Sequence, residues 1–186
     1  DNARIVYAAD VDGDGDMDVL SASSIDDKIA WYENDGSESF TEHVISISAT
    51  GARSVYATDV DGDGDLDVII GNLDLTSSDE TRLYLNDGNG AFSTSSVSLG
   101  LNPNSHIELG DLDGDGDLDM VIANSSRYVS SANRVYINDG SGVFSILEQS
   151  LDDFESTSLA LGDVDLDGDL DCITEDEIYI NDGSGI

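Results

Sequence analysis

The sequence predicts an all-β chain of four-stranded units repeated around an axis, a β-propeller, and three observations carry that prediction. A nine-residue acidic run recurs four times, starting at Asp10, Asp59, Asp111 and Asp163, so that successive starts lie 49, 52 and 52 residues apart. A Tyr-x-Asn-Asp-Gly stretch follows each run. The segments around both are short and rich in β-branched and aromatic residues, as strands are. A constant period near fifty marks repeated supersecondary units, here approximately residues 1–49, 50–101, 102–153 and 154–186 of a single propeller or propeller fragment.

The acidic run is the first element. Three copies read Asp-x-Asp-Gly-Asp-Gly-Asp-x-Asp, and the fourth is Asp-Val-Asp-Leu-Asp-Gly-Asp-Leu-Asp. Carboxylates at positions 1, 3 and 5 converge when the chain turns tightly, and Gly at position 6 permits the backbone angles of that turn. The expected side-chain ligands are Asp10, Asp12, Asp14 and Asp18; Asp59, Asp61, Asp63 and Asp67; Asp111, Asp113, Asp115 and Asp119; and Asp163, Asp165, Asp167 and Asp171. Asp16, Asp65, Asp117 and Asp169 would add backbone carbonyls at position 7. Such all-oxygen sets suit Ca²⁺ at roughly 2.3–2.6 Å, one ion per loop and about four per chain. An EF-hand would need a bidentate Glu at position 12 between two helices. Position 12 is Ser21, Ile70, Ile122 or Thr174, and Ser54 to Thr58 and Val68 to Ile70 read as strands.

The second element is the hairpin at Trp31-Tyr-Glu-Asn-Asp-Gly, Leu83-Tyr-Leu-Asn-Asp-Gly, Val135-Tyr-Ile-Asn-Asp-Gly and Ile178-Tyr-Ile-Asn-Asp-Gly. Asn, Asp and Gly accept the positive φ that tight turns demand. Tyr32, Tyr84, Tyr136 and Tyr179 share one repeat position and are expected to pack within or between repeats. Each full repeat then holds a strand before the acidic loop, one after it, the Tyr strand and a last one such as Phe92-Ser-Thr-Ser-Ser-Val.

On these loops and hairpins the chain resembles the FG-GAP (VCBS-type) repeats of integrin α-chain propellers and bacterial surface proteins. Gly110-Asp111 and Gly162-Asp163 match that family's Gly-Asp before the loop; Ala9, Thr58 and Leu166 depart from its pattern. The resemblance implies calcium loops on one face of the propeller, where they rigidify hairpins. It places ligand binding on the opposite face, built from the connections after the second and fourth strands. Integrin-type rings have seven blades, so either four blades close a small ring here or the chain is part of a longer ring or array.

Those connections, Ser21 to Ala30, Asn72 to Arg82 and Asn124 to Arg134, carry four of the six cations: Lys28, Arg82, Arg127 and Arg134. They could dock an anionic group on a partner, or pair locally with Asp26, Asp79 or Glu80. Trp31 is expected to be buried, as is Cys172, which stands where other repeats have Val19, Val68 and Met120.

With 41 acidic and 6 basic residues the net charge is −35, and four Ca²⁺ would leave −27. That field excludes nonspecific nucleic-acid binding, and no apolar run is long enough for membrane insertion. Calcium modules of this open type fill at roughly 10⁻⁴ to 10⁻³ M, an extracellular range, so a secreted or cell-surface location is expected. His43 and His106 occupy unrelated repeat positions and no Ser/His/Asp order or His-rich cluster appears, so the chain is expected to be noncatalytic. The leading expectation is an adhesion or ligand-binding module for an extracellular protein or carbohydrate. The alternative is a building block that assembles with copies of itself. A place in a polysaccharide-degrading enzyme is a third reading with little in the sequence to carry it.

Overall fold

The computed structural model describes residues 3–72, 81–95, 99, 104–124, 132–147, 151 and 156–186, and all regular structure among them is β. Repeat one holds β1 (Ala3–Ala9), β2 (Asp18–Ser23), β3 (Lys28–Asn34) and β4 (Phe40–Ser46), hydrogen-bonded in that order. Repeat two is the sheet β5 (Ala52–Thr58), β6 (Asp67–Asn72), β7 (Arg82–Asn86) and β8 (Phe92–Thr94). Repeat three is β9 (Asn104–Gly110), β10 (Asp119–Asn124), β11 (Arg134–Asn138) and β12 (Phe144–Ile146). Repeat four contributes three strands, β13 (Leu159–Gly162), β14 (Asp171–Thr174) and β15 (Ile178–Tyr179). Every pairing is antiparallel between neighbours in sequence, so each sheet is a meander.

Register places the two recurring motifs at fixed points. The acidic run joins the first two strands, and its last Asp is the first residue of the second strand: Asp18 pairs with Ala9, Asp67 with Thr58, Asp119 with Gly110 and Asp171 with Gly162. The Asn-Asp-Gly turn joins the third and fourth strands, with Asn34 opposite Phe40, Asn86 opposite Phe92 and Asn138 opposite Phe144.

One expected connection is shorter than the sequence implied. Ser21 to Ala30 reduces to residues 24–27, because Ala22 and Ile29 are fully buried partners and draw the strands onward past the polar serines. The connection at Thr174 to Glu177 is a tight turn, closed by the Thr174 N–H donating to the Glu177 carbonyl at 2.8 Å. Residues 73–80 and 125–131, the interiors of the other two connections, lie outside the described residues, and Arg127, Asp79 and Glu80 lie there with them.

The strands form two compact units, Asp1–Asp59 with Asp63–Leu101, and Val60–Gly62 with Asn102–Ile186. In the first, Val11, Leu20, Ile29 and Trp31 of repeat one pack against Val55, Val68, Ile70 and Tyr84 of repeat two. In the second, Leu112, Val121 and Val135 of repeat three pack against Leu159 and Cys172 of repeat four. Alternation along each strand sends one row of side chains to each face, so a sheet can give one row to the neighbour before it and the other to the neighbour after it.

Candidate metal centres

Each acidic loop is organised by its own backbone. The Asp10 carboxylate accepts the Gly13 N–H at 2.9 Å on one oxygen and the Gly15 N–H at 3.0 Å on the other. Asp111 repeats this with Gly114 and Gly116, and Asp163 with Leu166 and Gly168. The chain thus curls around the position-1 side chain and brings further carboxylates to one point. Gly13, Gly62 and Gly114 turn at φ of 74°, 75° and 77°, and in the fourth loop Leu166 is forced to 66° with its side chain in solvent.

Four groups of three carboxylates result, each offering oxygens within 4.8 Å of one another: Asp10, Asp12 and Asp18; Asp59, Asp61 and Asp67; Asp111, Asp113 and Asp115; Asp163, Asp165 and Asp171. These triads can hold a metal ion, and an all-carboxylate donor set fits a hard cation such as Ca²⁺. Asp14, Asp63 and Asp167, expected as ligands at position 5, fall outside the triads, as does Asp119 at position 9. Asp14, Asp63 and Asp167 accept the Asp16, Asp65 and Asp169 N–H groups, a bond that Asp115 also makes, to Asp117, from within its triad.

Burial lifts the carboxyls of Asp12, Asp113 and Asp165 above the ordinary aspartate value, and the carboxylates of Asp14, Asp115 and Asp167 push in the same direction. A cation would relieve both penalties.

The position-9 aspartates do a second job. Asp18 is fully buried and accepts the Val11 N–H at 2.8 Å on one oxygen and the Asn34 N–H at 2.8 Å on the other. It thereby ties the acidic loop to the hairpin turn. Asp119 bridges Leu112 and Asn138, and Asp171 bridges Val164 and Asn181. At Asp119 burial outweighs these bonds and raises the carboxyl, whereas at Asp171 the two backbone bonds prevail and lower it. The side chains of Asp16, Asp65, Asp117 and Asp169 abut Gly36, Gly88, Gly140 and Gly183 so closely that a Cβ there would overlap the carboxylate. The glycine of each Asn-Asp-Gly turn is favoured by its positive φ of 70–80°, and any side chain there would also have to displace the facing carboxylate.

The turn asparagines carry a role that sequence reading assigned only to turn chemistry. Asn86 donates from Nδ2 to the Val11 carbonyl at 2.8 Å and to the Leu66 carbonyl at 3.1 Å. Asn181 does the same to Leu112 at 2.6 Å and Leu170 at 3.2 Å, and Asn138 to Val60 at 2.8 Å and Leu118 at 3.2 Å. Each amide clasps position 2 of the preceding repeat's acidic loop. Asn34, in the first repeat, donates to Met17 alone. The signal was present as an Asn recurring in all four turns, but a turn explains Asn without any partner.

Lys28, Arg82 and Arg134 each begin the third strand of their repeat. Lys28 pairs with Glu42 at 2.6 Å rather than with Asp26, and Glu42 also accepts the Tyr32 hydroxyl at 3.1 Å. Arg82 donates to the Ser48 hydroxyl at 3.3 Å. Beside them in the first unit, Trp31 is buried and stacks on His43 at 4.6 Å and 20°. A groove of about 340 Å³ opens there, lined by Trp31, Glu42, His43 and Phe92 among others; the Trp31 indole N–H is itself buried and has no hydrogen-bond partner among the described residues.

The profile of FG-GAP-like repeats matches residues 10–70, 71–122 and 111–174. The chain belongs to the FG-GAP-like repeat family. No curated protein sequence matches it. Among solved structures, this FG-GAP-like chain is similar to an Agrocybe aegerita lectin described for specific recognition of non-reducing terminal N-acetylglucosamine. The TM-score is 0.64 and the identity 20%, over 97% of this chain and 50% of that one. It is also similar to the V. cholerae biofilm matrix protein Bap1, with TM-score 0.55 and 19% identity over 98% of this chain and 30% of that one. The FG-GAP-like chain thus spans half or less of these structures, and at such identities the likeness is one of fold.

Proposed function

We propose that the chain is a calcium-stabilised, noncatalytic binding module of an extracellular protein, its four repeats serving as propeller blades. The observation that carries the reading is the fourfold recurrence of carboxylate triads within 4.8 Å, each on the same loop of its repeat. Calcium would neutralise the converging charges and rigidify the loops. The carboxylates are then structural, leaving other surfaces for recognition. The noncatalytic part rests on the sequence, in which His43 and His106 fall at unrelated repeat positions and no Ser/His/Asp order appears. The ligand class is an extracellular carbohydrate or protein. The groove beside Trp31 and His43, lined by the half-exposed His43 and the Glu42 carboxylate, offers a polar and aromatic surface of the kind sugars use.

The test is a glycan array read in millimolar calcium and again in excess chelator, with native mass spectrometry counting bound ions. Four ions per chain and calcium-dependent glycan retention, lost in His43→Ala, are expected. A chain that binds no calcium refutes the metal reading. Glycan retention that survives His43→Ala refutes the groove.

A further inference from the structure

We infer, on the carbohydrate reading above, that the groove beside Trp31 selects a sugar bearing a free amine, and that Glu33 is the residue that selects it.

Repeat one differs from the other repeats at this place. Trp31 stands where their third strands have Leu83, Val135 and Ile178, and Glu33 stands where they have Leu85, Ile137 and Ile180. His43 lies opposite Trp31 in the fourth strand, and Ser95 and Leu147 hold the equivalent places opposite Leu83 and Val135. Val135 is fully buried and Ile137 and Leu147 pack on the core of the second unit, so apolar side chains satisfy the fold at all three positions. A carboxylate and an imidazole there forgo apolar burial, a departure that packing alone does not ask for.

The three side chains form one assembly. His43 stacks on Trp31 at 4.6 Å and 20°, and its Nε2 bonds to Glu33 Oε2 at 2.6 Å. The His43 and Glu33 side chains are 40% and 37% exposed, so a ligand can reach both. Glu33 Oε1 takes no bond among the described residues. With Nε2 donating to Glu33, the neutral imidazole keeps Nδ1 as a second acceptor. Gly90, Ala91 and Phe92 of repeat two supply the rest of the lining, Gly90 lying so close on the indole that a Cβ would overlap it.

No Lys or Arg lines the groove among the described residues, and Lys28 is held by Glu42 at 2.6 Å. Acceptors without a cation suit a ligand that brings its own donors, and an ammonium brings three together with a charge. An N-acetylated sugar offers one donor at that nitrogen and no charge. The net charge of −35 favours the amine again and opposes uronates and sulfated sugars.

Fluorescence titration tests this directly, because Trp31 is the single tryptophan, and calorimetry repeats the measurement without relying on the indole. The ligands are short oligomers of glucosamine, N-acetylglucosamine and galacturonate, at neutral pH in millimolar calcium. The parent chain should bind the glucosamine oligomer about tenfold more tightly than the N-acetylated one, the worth of one charged hydrogen bond, and should not bind galacturonate. Glu33→Leu installs the residue of repeat two and Glu33→Gln keeps the shape of the side chain; both should melt close to the parent and lose the preference for the amine. General attraction to so acidic a chain would survive in both variants, so its loss is what assigns the preference to Glu33. A parent that prefers the N-acetylated or acidic oligomer, or an amine preference that persists in both variants, overturns the inference while binding that still needs His43 leaves the carbohydrate reading standing. A parent that binds none of the three overturns the inference, and a glycan array that retains no sugar overturns the reading beneath it as well.

Discussion

Replacing Asn86 with Ala measures what the clasp between repeats contributes. The side chain makes three hydrogen bonds: to the Val11 carbonyl at 2.8 Å, to the Leu66 carbonyl at 3.1 Å, and from the Gly90 N–H at 3.2 Å. The residue is buried, and so is Val11. Water therefore cannot readily replace the lost partner. At a net value of about 1 kcal/mol per bond, Asn86→Ala should cost about 3 kcal/mol. Asn34→Ala is the internal control, because Asn34 occupies the same turn. It keeps only the bonds to Met17 and from Gly36, both at 3.2 Å, in a partly exposed setting. Its loss should cost about 1 kcal/mol or less, since water can take over exposed partners. Turn propensity is shared by the two sites, so the difference of about 2 kcal/mol reports the Val11 bond between repeats together with the deeper burial it brings to the Asn86 site. For a chain of this size 1 kcal/mol moves Tm by about 2–4 °C, so scanning calorimetry in saturating calcium should separate the variants by about 4–8 °C. Equal losses at both positions would refute the clasp.

Three further outcomes follow from local geometry. Leu166→Gly should raise Tm by a few degrees in thermal melts. It relieves a left-handed residue at φ 66°, a strain of about 1–2 kcal/mol, less the backbone entropy that Gly adds. Burial pushes the Cys172 thiol up to about 11, so a thiol reagent at pH 8 should label it only on unfolding; rapid labelling of the folded chain would contradict the packing. Raised carboxyls at Asp12, Asp113 and Asp165 favour the metal-free fold while protonated and cease to do so as pH rises through their elevated values. The gap in Tm between calcium-loaded and chelated protein should therefore widen as pH rises above the ordinary aspartate value of about 4, and a constant gap would refute it.

The sequence exposed what depends on local chemistry. Asp at alternate positions with Gly between them can be read as a turning acidic loop, and Asn-Asp-Gly as a hairpin, because each pattern acts over a few residues. Strand order followed from the fifty-residue period. What depended on distant partners was hidden. Asn86 and Val11 are 75 residues apart, and nothing near either one signals the bond. The dual use of Asp18 was concealed for a similar reason: an Asp at the end of an acidic run reads as one more ligand, although both of its oxygens take backbone donors. Lys28 finds Glu42 across the sheet rather than Asp26 beside it, since register decides which charges meet.

The position of the clasp links neighbouring candidate metal loops. Asn86 holds the carbonyl of Val11, and the N–H of that same residue is held by Asp18, a member of the first triad. Asn181, Leu112 and Asp119 form a like chain of contacts in the other unit, although Asp119 stands beside its triad rather than in it. An ion that stiffens one loop therefore also steadies the hairpin of the repeat after it, whose own Asp reaches that hairpin from the other side. Within each unit, occupancy of one loop would then favour occupancy of the next, as favourable nearest-neighbour terms do in a repeat array. Such a pair would respond to calcium over a narrower concentration range than two independent loops, filling and emptying nearly together.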